Sequence, residues 1–199
     1  MNDKISNNEE LLISSHNEGK INEFNILLKP YNIQTQSAND FGISEPEETG
    51  KSFKDNSILK AKHGLSSGLT VLADDSGLCV DALDGSPGIY SARWAKKYGG
   101  WYNSMQEIHH RILEKNKNNF GAKFCCSISI AFQNNNVYSY YGELKGQISW
   151  PPRGANGFGY DPFFIPEKEQ QTFGEIKSLV KIHMDHRAIA FKKMIQKHF

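Results

Sequence analysis

The apolar positions of the chain fall into short blocks divided by polar, glycine-bearing stretches, and the period inside the blocks changes along the chain. Leu11-Leu12-Ile13 is a continuous apolar run after a polar leader and predicts a short buried strand. Ile21, Phe24, Leu27 and Leu28 recur at helical spacing, and Pro30 ends that helix because its ring cannot extend the hydrogen-bond ladder. Residues 31–36 predict a second strand. Ser52 with Asp55 three residues on forms a helix-opening cap, and the helix runs through Leu65. Asn56 and Lys60 are four residues apart on it and share a face. Val71-Leu72-Ala73 is an apolar run that predicts a buried strand ending at Asp74-Asp75-Ser76-Gly77, with Leu78 and Val80 suggesting that it continues.

In the second half, Asp84-Gly85-Ser86-Pro87-Gly88 is a strong turn signal. Met105, Ile108, Ile112 and Leu113 predict a helix that carries His109-His110 on its surface. Adjacent helical residues diverge by about 100°, so that pair makes a poor metal site. Phe124 to Phe132 and Val137 to Tyr141 predict a hairpin across Gln133-Asn134-Asn135-Asn136, and Glu143 to Trp150 predicts a further strand. Pro151 to Pro162 is too rich in glycine and proline for regular structure. Its Phe158 and Tyr160 either stack on a planar ligand or tuck the loop onto the core. A last helix contains Ile189, Met194 and Ile195, with His186-Arg187 at its start. Strands alternating with helices, followed by a hairpin, predict an α/β fold with a mixed sheet.

Composition narrows the class. The 199 residues suffice for one sizeable core, as a single domain or two intimate lobes. A net charge of +1 excludes a global field for nucleic acid, so any polyanion site must be local. Cys79, Cys125 and Cys126 sit in apolar runs without zinc or secretory spacing and are expected as small buried side chains. The N-terminus shows no signal-peptide pattern and no apolar run reaches membrane-spanning length, so a cytoplasmic protein without membrane contact is expected.

The chemistry gathers at the loops. Ser14-Ser15-His16-Asn17-Glu18-Gly19-Lys20 lies between a strand and a helix, an arrangement that presents N–H groups to phosphate. It is not a P-loop, since the first glycine of that motif would fall on Ser14 and its Ser/Thr on Ile21; a plain turn with a solvated lysine competes. A carboxylate at a strand end can hold a divalent cation or take a proton from water, and the alternative is a pair of acids that open a turn. Adjacent strand residues face opposite ways, so only one of Asp74 and Asp75 can serve a given site. Loops at strand ends are where α/β proteins bind ligands. Lys20, Asp75 and Tyr160 on such loops suit a nucleotide polyphosphate and its metal.

Five blocks then occur in one order: Ser15 to Lys20; Glu47-Glu48-Thr49-Gly50 with Ser52-Phe53, Asn56 and Lys60; Ala73 to Leu78; Gly85 to Arg93; and Gly157 to Pro162 with Lys181 and His186-Arg187. Together they resemble the Ham1-like inosine triphosphate pyrophosphatases, which clear non-standard purine nucleoside triphosphates. The resemblance spans nearly the whole chain. It implies one domain, 1–199, with an elongated mixed β-sheet flanked by helices, two lobes, a central cleft, and a homodimer. It also implies Mg²⁺-dependent hydrolysis of a purine nucleoside triphosphate to the monophosphate and pyrophosphate. Carried over by position, Asp75 is the general base and a metal ligand, with Glu48 or Glu47 as its acidic partner at the metal. Ser15, His16, Asn17, Glu18, Gly19, Lys20 and Lys60 take the phosphates, and Ser76 makes a further contact. Phe158, Gly159, Tyr160, Asp161, Lys181, His186 and Arg187 surround the base and sugar. Three positions depart from the family pattern: His16 replaces a small residue, Ile182 follows the lysine, and Asp185 replaces the serine before His-Arg. Two other readings compete, a non-catalytic nucleotide-binding protein on the same scaffold and a zinc hydrolase using His183 and His186. The acids at Asp75, Glu47 and Glu48 argue against the first, since binding alone needs no general base.

Overall fold

The computed structural model describes residues 3–6, 8–115 and 119–199. The polar leader read from the sequence includes Met1, Asn2 and Asn7, which lie outside the described residues. Leu11, Leu12 and Ile13 have no exposed surface, and their run forms β1 (Glu10–Ile13). Helix α1 (Glu18–Leu28) buries Phe24, Leu27 and Leu28, and Pro30 falls in the 3₁₀ turn Lys29–Tyr31 that ends it. Strand β2 (Gln34–Ser37) runs parallel to β1. Ser52 Oγ accepts the Asp55 N–H at 3.1 Å, and α2 (Phe53–Gly64) follows as the capping pattern requires.

Strand β3 (Thr70–Val80) lies parallel to β1, with Leu12 opposite Val71. It does not stop at the acids. Asp74 and Asp75 sit in mid-strand, and neither opens a turn. Side chains from helices meet both carboxylates within the strand. Gly77 allows the segment after the strand to come close: a Cβ at this position would lie 2.3 Å from the Gly88 carbonyl oxygen and 2.5 Å from Ser91 Oγ.

Helices α3 (Ser91–Lys97) and α4 (Trp101–Glu114) come next. Met105, Ile108 and Ile112 are buried as their spacing predicts, whereas Leu113 lies one step further round the helix and is 48% exposed. His109 is more than a surface residue, for its ring stacks on Trp150 at 4.6 Å and 11°. Strands β4 (Gly121–Ala131) and β5 (Val137–Ile148) join through a tight turn, closed by Phe132 N–H on the Asn136 carbonyl at 2.9 Å. The two strands expected over Val137–Tyr141 and Glu143–Trp150 are one, because Gly142 stays within the extended ladder. After β6 (Phe164–Pro166) come α5 (Ser178–Met184) and α6 (His186–His198).

The sheet has six strands in the order β2-β1-β3-β4-β5-β6, parallel from β2 to β3 and antiparallel at β5–β6, which is the mixed sheet expected. The chain divides into two compact units. The first comprises residues 1–75, 126–142 and 187–199; its Leu12, Ala61, Val71, Ala73 and Ala131 form an apolar cluster. The second comprises residues 76–125 and 143–186, with a larger core that includes Leu78, Ile108, Phe124, Phe163, Phe164 and Phe173. Among the described residues no helix is long and apolar enough to cross a membrane.

The facing of α4 is checked by a pair of truncations. Ile112→Ala should lower unfolding stability by about 2–5 kcal/mol, since it empties part of a closed core. Leu113→Ala should stay within about 0.5 kcal/mol. Denaturant unfolding of both variants would show equal losses if the helix faced otherwise.

Candidate functional site

In the first unit, β3 presents Asp74 and Asp75 to opposite sides, and each meets different helices. Asp74 Oδ2 lies 3.1 Å from Lys20 Nζ of α1 and 3.0 Å from Arg187 Nη2 of α6. The other arm of Arg187 pairs with Glu23, one turn after Lys20 on α1. Lys20, Asp74, Arg187 and Glu23 therefore form a charge-alternating chain, with Asp74 and Arg187 buried. Burial alone would raise the Asp74 pKa. The charges of Lys20, Arg187 and Lys60 outweigh it and hold this carboxyl far below the ordinary range.

Asp75 has a different environment. Its Oδ2 accepts from Asn56 Nδ2 at 3.0 Å, and its Oδ1 lies 3.7 Å from Lys60 Nζ. Both partners stand on α2, four residues apart. Neither is on a solvated stripe, for Asn56 has no exposed surface and Lys60 is 5% exposed. Burial is the largest influence on Asp75 and pushes its pKa up, with Glu48 adding to the rise; Lys60, Lys20 and the Asn56 hydrogen bond offset this only in part. Lys60 remains charged, because Asp75, Asp74 and Glu48 overcome the opposing effect of burial and raise its pKa. Two consecutive aspartates are thus driven apart, one fixed as an anion and one made a better proton acceptor.

Glu48 reaches the same ammonium, with Oε1 2.6 Å from Lys60 Nζ. Glu47 is exposed, so Glu48 is the acid of the pair that joins Asp75 at this lysine. The loop carrying Glu48 has no regular structure and is tied by side chains. His16 Nε2 donates to the Ile43 carbonyl at 3.0 Å, His63 Nε2 donates to the Ser44 carbonyl at 3.1 Å, and Gly50 N–H donates to Asn56 Oδ1 at 2.8 Å. A carbonyl only accepts, so Nε2 is the donor in both bonds. In the loop before α1, Ser15 Oγ accepts the Asn17 N–H, and Asn17 Oδ1 caps the helix through Lys20 N–H at 3.1 Å. Asn17 and Glu18 are exposed and Gly19 half-buried at the helix N-terminus, where N–H groups and the dipole favour an anion.

The second unit holds the glycine loop. Asp161 Oδ2 accepts from Phe158 N–H at 2.8 Å and from Lys181 Nζ at 2.7 Å. Gly157 has φ +73°, and a Cβ on it would lie 2.0 Å from Asp161 Oδ2, so glycine is required there. Lys181 Nζ also stands 4.7 Å from the Phe158 ring centre. Tyr160 does not offer its ring to a ligand. It is 2% exposed, its hydroxyl engages Ser104 Oγ at 2.6 Å, and burial pushes its pKa up to about 12. Gly159 packs near Trp101, and Trp101 meets Tyr160 edge-on at 5.0 Å. His186 is buried and stacks on Phe124 at 4.8 Å and 10°. Ser76 is half-buried on β3.

Within the first unit the structure thus gathers Lys60, Glu48 and Asp75 around one point, with Lys20 on Asp74. Within the second it gathers Phe158, Asp161 and Lys181. Arg187, expected around the base and sugar, places its guanidinium between Glu23 and Asp74. His183 is exposed while His186 is buried, and among the described residues no group of three or more His, Cys, Asp or Glu side chains could hold a metal ion. Sequence reasoning missed Asn56, Asp74 and Glu23 as members of the network. The signal for Asn56 was present in its spacing from Lys60.

A mixed α/β sheet with a buried acid–lysine cluster on its third strand and a helix N-terminus after its first defines a protein built to handle a phosphorylated ligand. Comparison with known proteins narrows that class. A profile described as the Ham1 family matches residues 11–197, and the chain belongs to that family. It is 42% identical over 187 residues to the dITP/XTP pyrophosphatase of Zymomonas mobilis subsp. mobilis, covering 93% of this chain and 90% of the relative. It is also 42% identical over 194 residues to the dITP/XTP pyrophosphatase of Rhodospirillum centenum, covering 96% and 95%. Among solved structures, a HAM1 protein from Coxiella burnetii superposes with a TM-score of 0.86 at 33% identity over 94% of this chain and 97% of that one.

The two aspartates should respond oppositely to neutralisation. The folded pKa of Asp74 lies below its unfolded value, so its contribution to stability is present above the unfolded pKa and is lost as pH falls towards the folded one. Asp74→Asn leaves Arg187 and Lys20 without that partner and should cost about 3–5 kcal/mol at pH 7. The folded pKa of Asp75 lies above its unfolded value, so its ionised form opposes folding at pH 7. Asp75→Asn should keep or raise the unfolding midpoint. Metal-free thermal and denaturant unfolding of both variants reads the contrast, and equal destabilisation would contradict it.

Proposed function

We propose that the chain hydrolyses non-standard purine nucleoside triphosphates, inosine, deoxyinosine and xanthosine triphosphates, to the monophosphate and pyrophosphate. The observation that carries this reading is the convergence of Asp75 and Glu48 on the Lys60 ammonium, with Asp74 turned to the other side of β3 and held by Lys20 and Arg187. The names of the relatives, dITP/XTP pyrophosphatases, supply the substrate class. The whole chain acts as one functional domain, and as a cytoplasmic homodimer that works on free nucleotides without nucleic acid or membrane.

Glu48 and Asp75 both direct carboxylate oxygens at the Lys60 ammonium, which stands where two hard oxygen donors converge. Mg²⁺ is commonly bound by one or two carboxylates, with waters and substrate phosphates completing the shell, so this donor set fits it without a third protein ligand. Held by Asp75 and Glu48, Mg²⁺ would neutralise charge on the phosphate oxygens. Asp75 takes the proton of the attacking water as the new bond forms to the α-phosphorus and the α–β anhydride bond breaks. Lys60 and Lys20 bring positive charge to the triphosphate, and the N-terminus of α1, with Ser15, His16, Asn17, Glu18 and Gly19, receives phosphate oxygens. Asp74 keeps Lys20 in place. Ser76 contributes a further hydroxyl. In the second unit Phe158 supplies an aromatic face, while Gly159, Asp161, Lys181 and His186 shape the base end. Tyr160 supports that loop from beneath, and Arg187 acts through its ion pair with Asp74.

A non-catalytic role would not call for a second acid, Glu48, to converge with Asp75 on one lysine. Incubation of the purified chain with inosine triphosphate and Mg²⁺ should give inosine monophosphate and pyrophosphate; diphosphate with inorganic phosphate would overturn the reading. Selectivity provides a sharper check. Stacking accepts any purine, so discrimination must come from donors aimed at a 6-keto oxygen. Adenine presents an amino group there and sets donor against donor, which can reject it by up to ~10⁴-fold. Equal kcat/KM for inosine and adenosine triphosphates would defeat the base-edge argument.

A further inference from the structure

We infer that Asn56 is a positioning residue which locks the orientation of Asp75 to the placement of the loop bearing Glu48. The inference rests on the function proposed above and deepens it. The Asn56 amide uses both of its ends inside the fold. Nδ2 donates to Asp75 Oδ2 at 3.0 Å, and Oδ1 accepts from Gly50 N–H at 2.8 Å. A carboxylate only accepts and a backbone N–H only donates, so neither end of the amide can be exchanged for the other. Its side chain has no exposed surface, and no water competes for either bond.

The rest of the local structure closes around this amide. Asn56 lies in the first turn of α2, one turn before Lys60, so a single helix face holds both oxygens of Asp75: Asn56 on Oδ2 and Lys60 on Oδ1. The same face reaches the loop twice, through Gly50 at its end and through Glu48 at Lys60. Gly50 is fitted to the contact, since a Cβ there would lie 2.5 Å from Asn56 Oδ1 and 2.6 Å from Asp55 Cβ. Rotation of the Asp75 carboxylate breaks one bond of the amide, and a shift of the loop breaks the other. Each therefore strains its partner. The two acids assigned to the metal keep their spacing because one side chain holds the base and the loop together.

The test uses the full chain with inosine triphosphate and Mg²⁺. Asn56→Asp keeps an acceptor for Gly50 but sets a second carboxylate against Asp75 in place of the amide donor, so its loss includes like-charge repulsion; Asn56→Ala removes both bonds without adding charge. Each should lower kcat by about 10–100-fold, the range found when partners of metal-binding carboxylates are removed, with KM little changed. Binding of inosine triphosphate measured in EDTA should persist in both. The Gly50 amide should remain protected from hydrogen exchange in wild type and in Asn56→Asp, and lose protection in Asn56→Ala. Glu48→Gln should reduce kcat far less in the Asn56→Ala background than in wild type, because Glu48 is already displaced there. Should Asn56→Ala unfold, Asn56→Asp carries the test through its own loss of kcat with Gly50 still protected, and Glu48→Gln should there lower kcat by the same factor as in wild type. Wild-type kcat in folded Asn56→Asp, or multiplicative losses for Glu48→Gln in the Asn56→Ala background, would overturn the inference alone. An inactive wild type would overturn the proposed reaction and the inference with it.

Discussion

The pleat of β3 forces Asp74 and Asp75 apart, and this one constraint organises the first unit. Two buried carboxylates on the same side would repel and raise each other's pKa, so the strand could keep only one ionised. On opposite sides they take separate partners. Asp74 meets two cations in direct contact and becomes an anchor for α1 and α6. Asp75 faces a neutral amide and a lysine that it must share with Glu48. The second carboxylate is therefore the under-compensated one, and under-compensation is what makes a carboxylate a useful base.

Buried charge is costly, and the fold meets that cost by pairing rather than by exposure. Lys20, Asp74, Arg187 and Glu23 alternate in sign. Asp161 and Lys181 repeat the device on a smaller scale in the second unit, where their pair also receives the Phe158 N–H and so holds the glycine loop in one shape. In each case an ion pair does work that apolar packing could not. A loop with glycines at positive φ has no side chains to bury at those points, and a directional polar contact fixes it instead.

Much of this could be read from the sequence, and what could not has a physical reason. The apolar periods of β1, α1, α2 and α4 marked their elements, and Ser52 marked a helix start, because those signals are local. Leu78 and Val80 suggested that β3 continues past its acids, as it does, but not how buried aspartates are tolerated there, since their partners arrive from α1, α2 and α6. For Tyr160 the sequence left two readings, a ligand platform or a side chain that tucks the loop onto the core, and only the hydrogen bond to Ser104 in the folded chain favours the second. Leu113 was misplaced because an apolar side chain adjacent to a buried one fits a helical pattern read with a wide stripe. Asn56 was visible as a position but not as a function. Its role depends on a backbone N–H six residues earlier and a carboxylate nineteen residues later, and neither leaves a trace in local spacing.

The departures from the family pattern follow the same logic of support. His16 puts an imidazole where a small residue is usual, and its Nε2–H holds the Ile43 carbonyl of the loop that carries Glu48. A residue without a side-chain donor could not make that bond, so the larger side chain brings the loop a tether rather than only bulk. Asp185 is fully buried, has extended backbone with φ −77° and ψ 175°, and directly precedes α6. Serine and aspartate are close equivalents immediately before a helix, because each offers a short side-chain oxygen to the first unpaired N–H groups. Aspartate adds a negative charge at the positive end of the helix dipole, where it is favoured. The tether at His16 acts on how the chain holds its shape, and the acids and lysines on which the proposed chemistry rests are left as the family pattern has them.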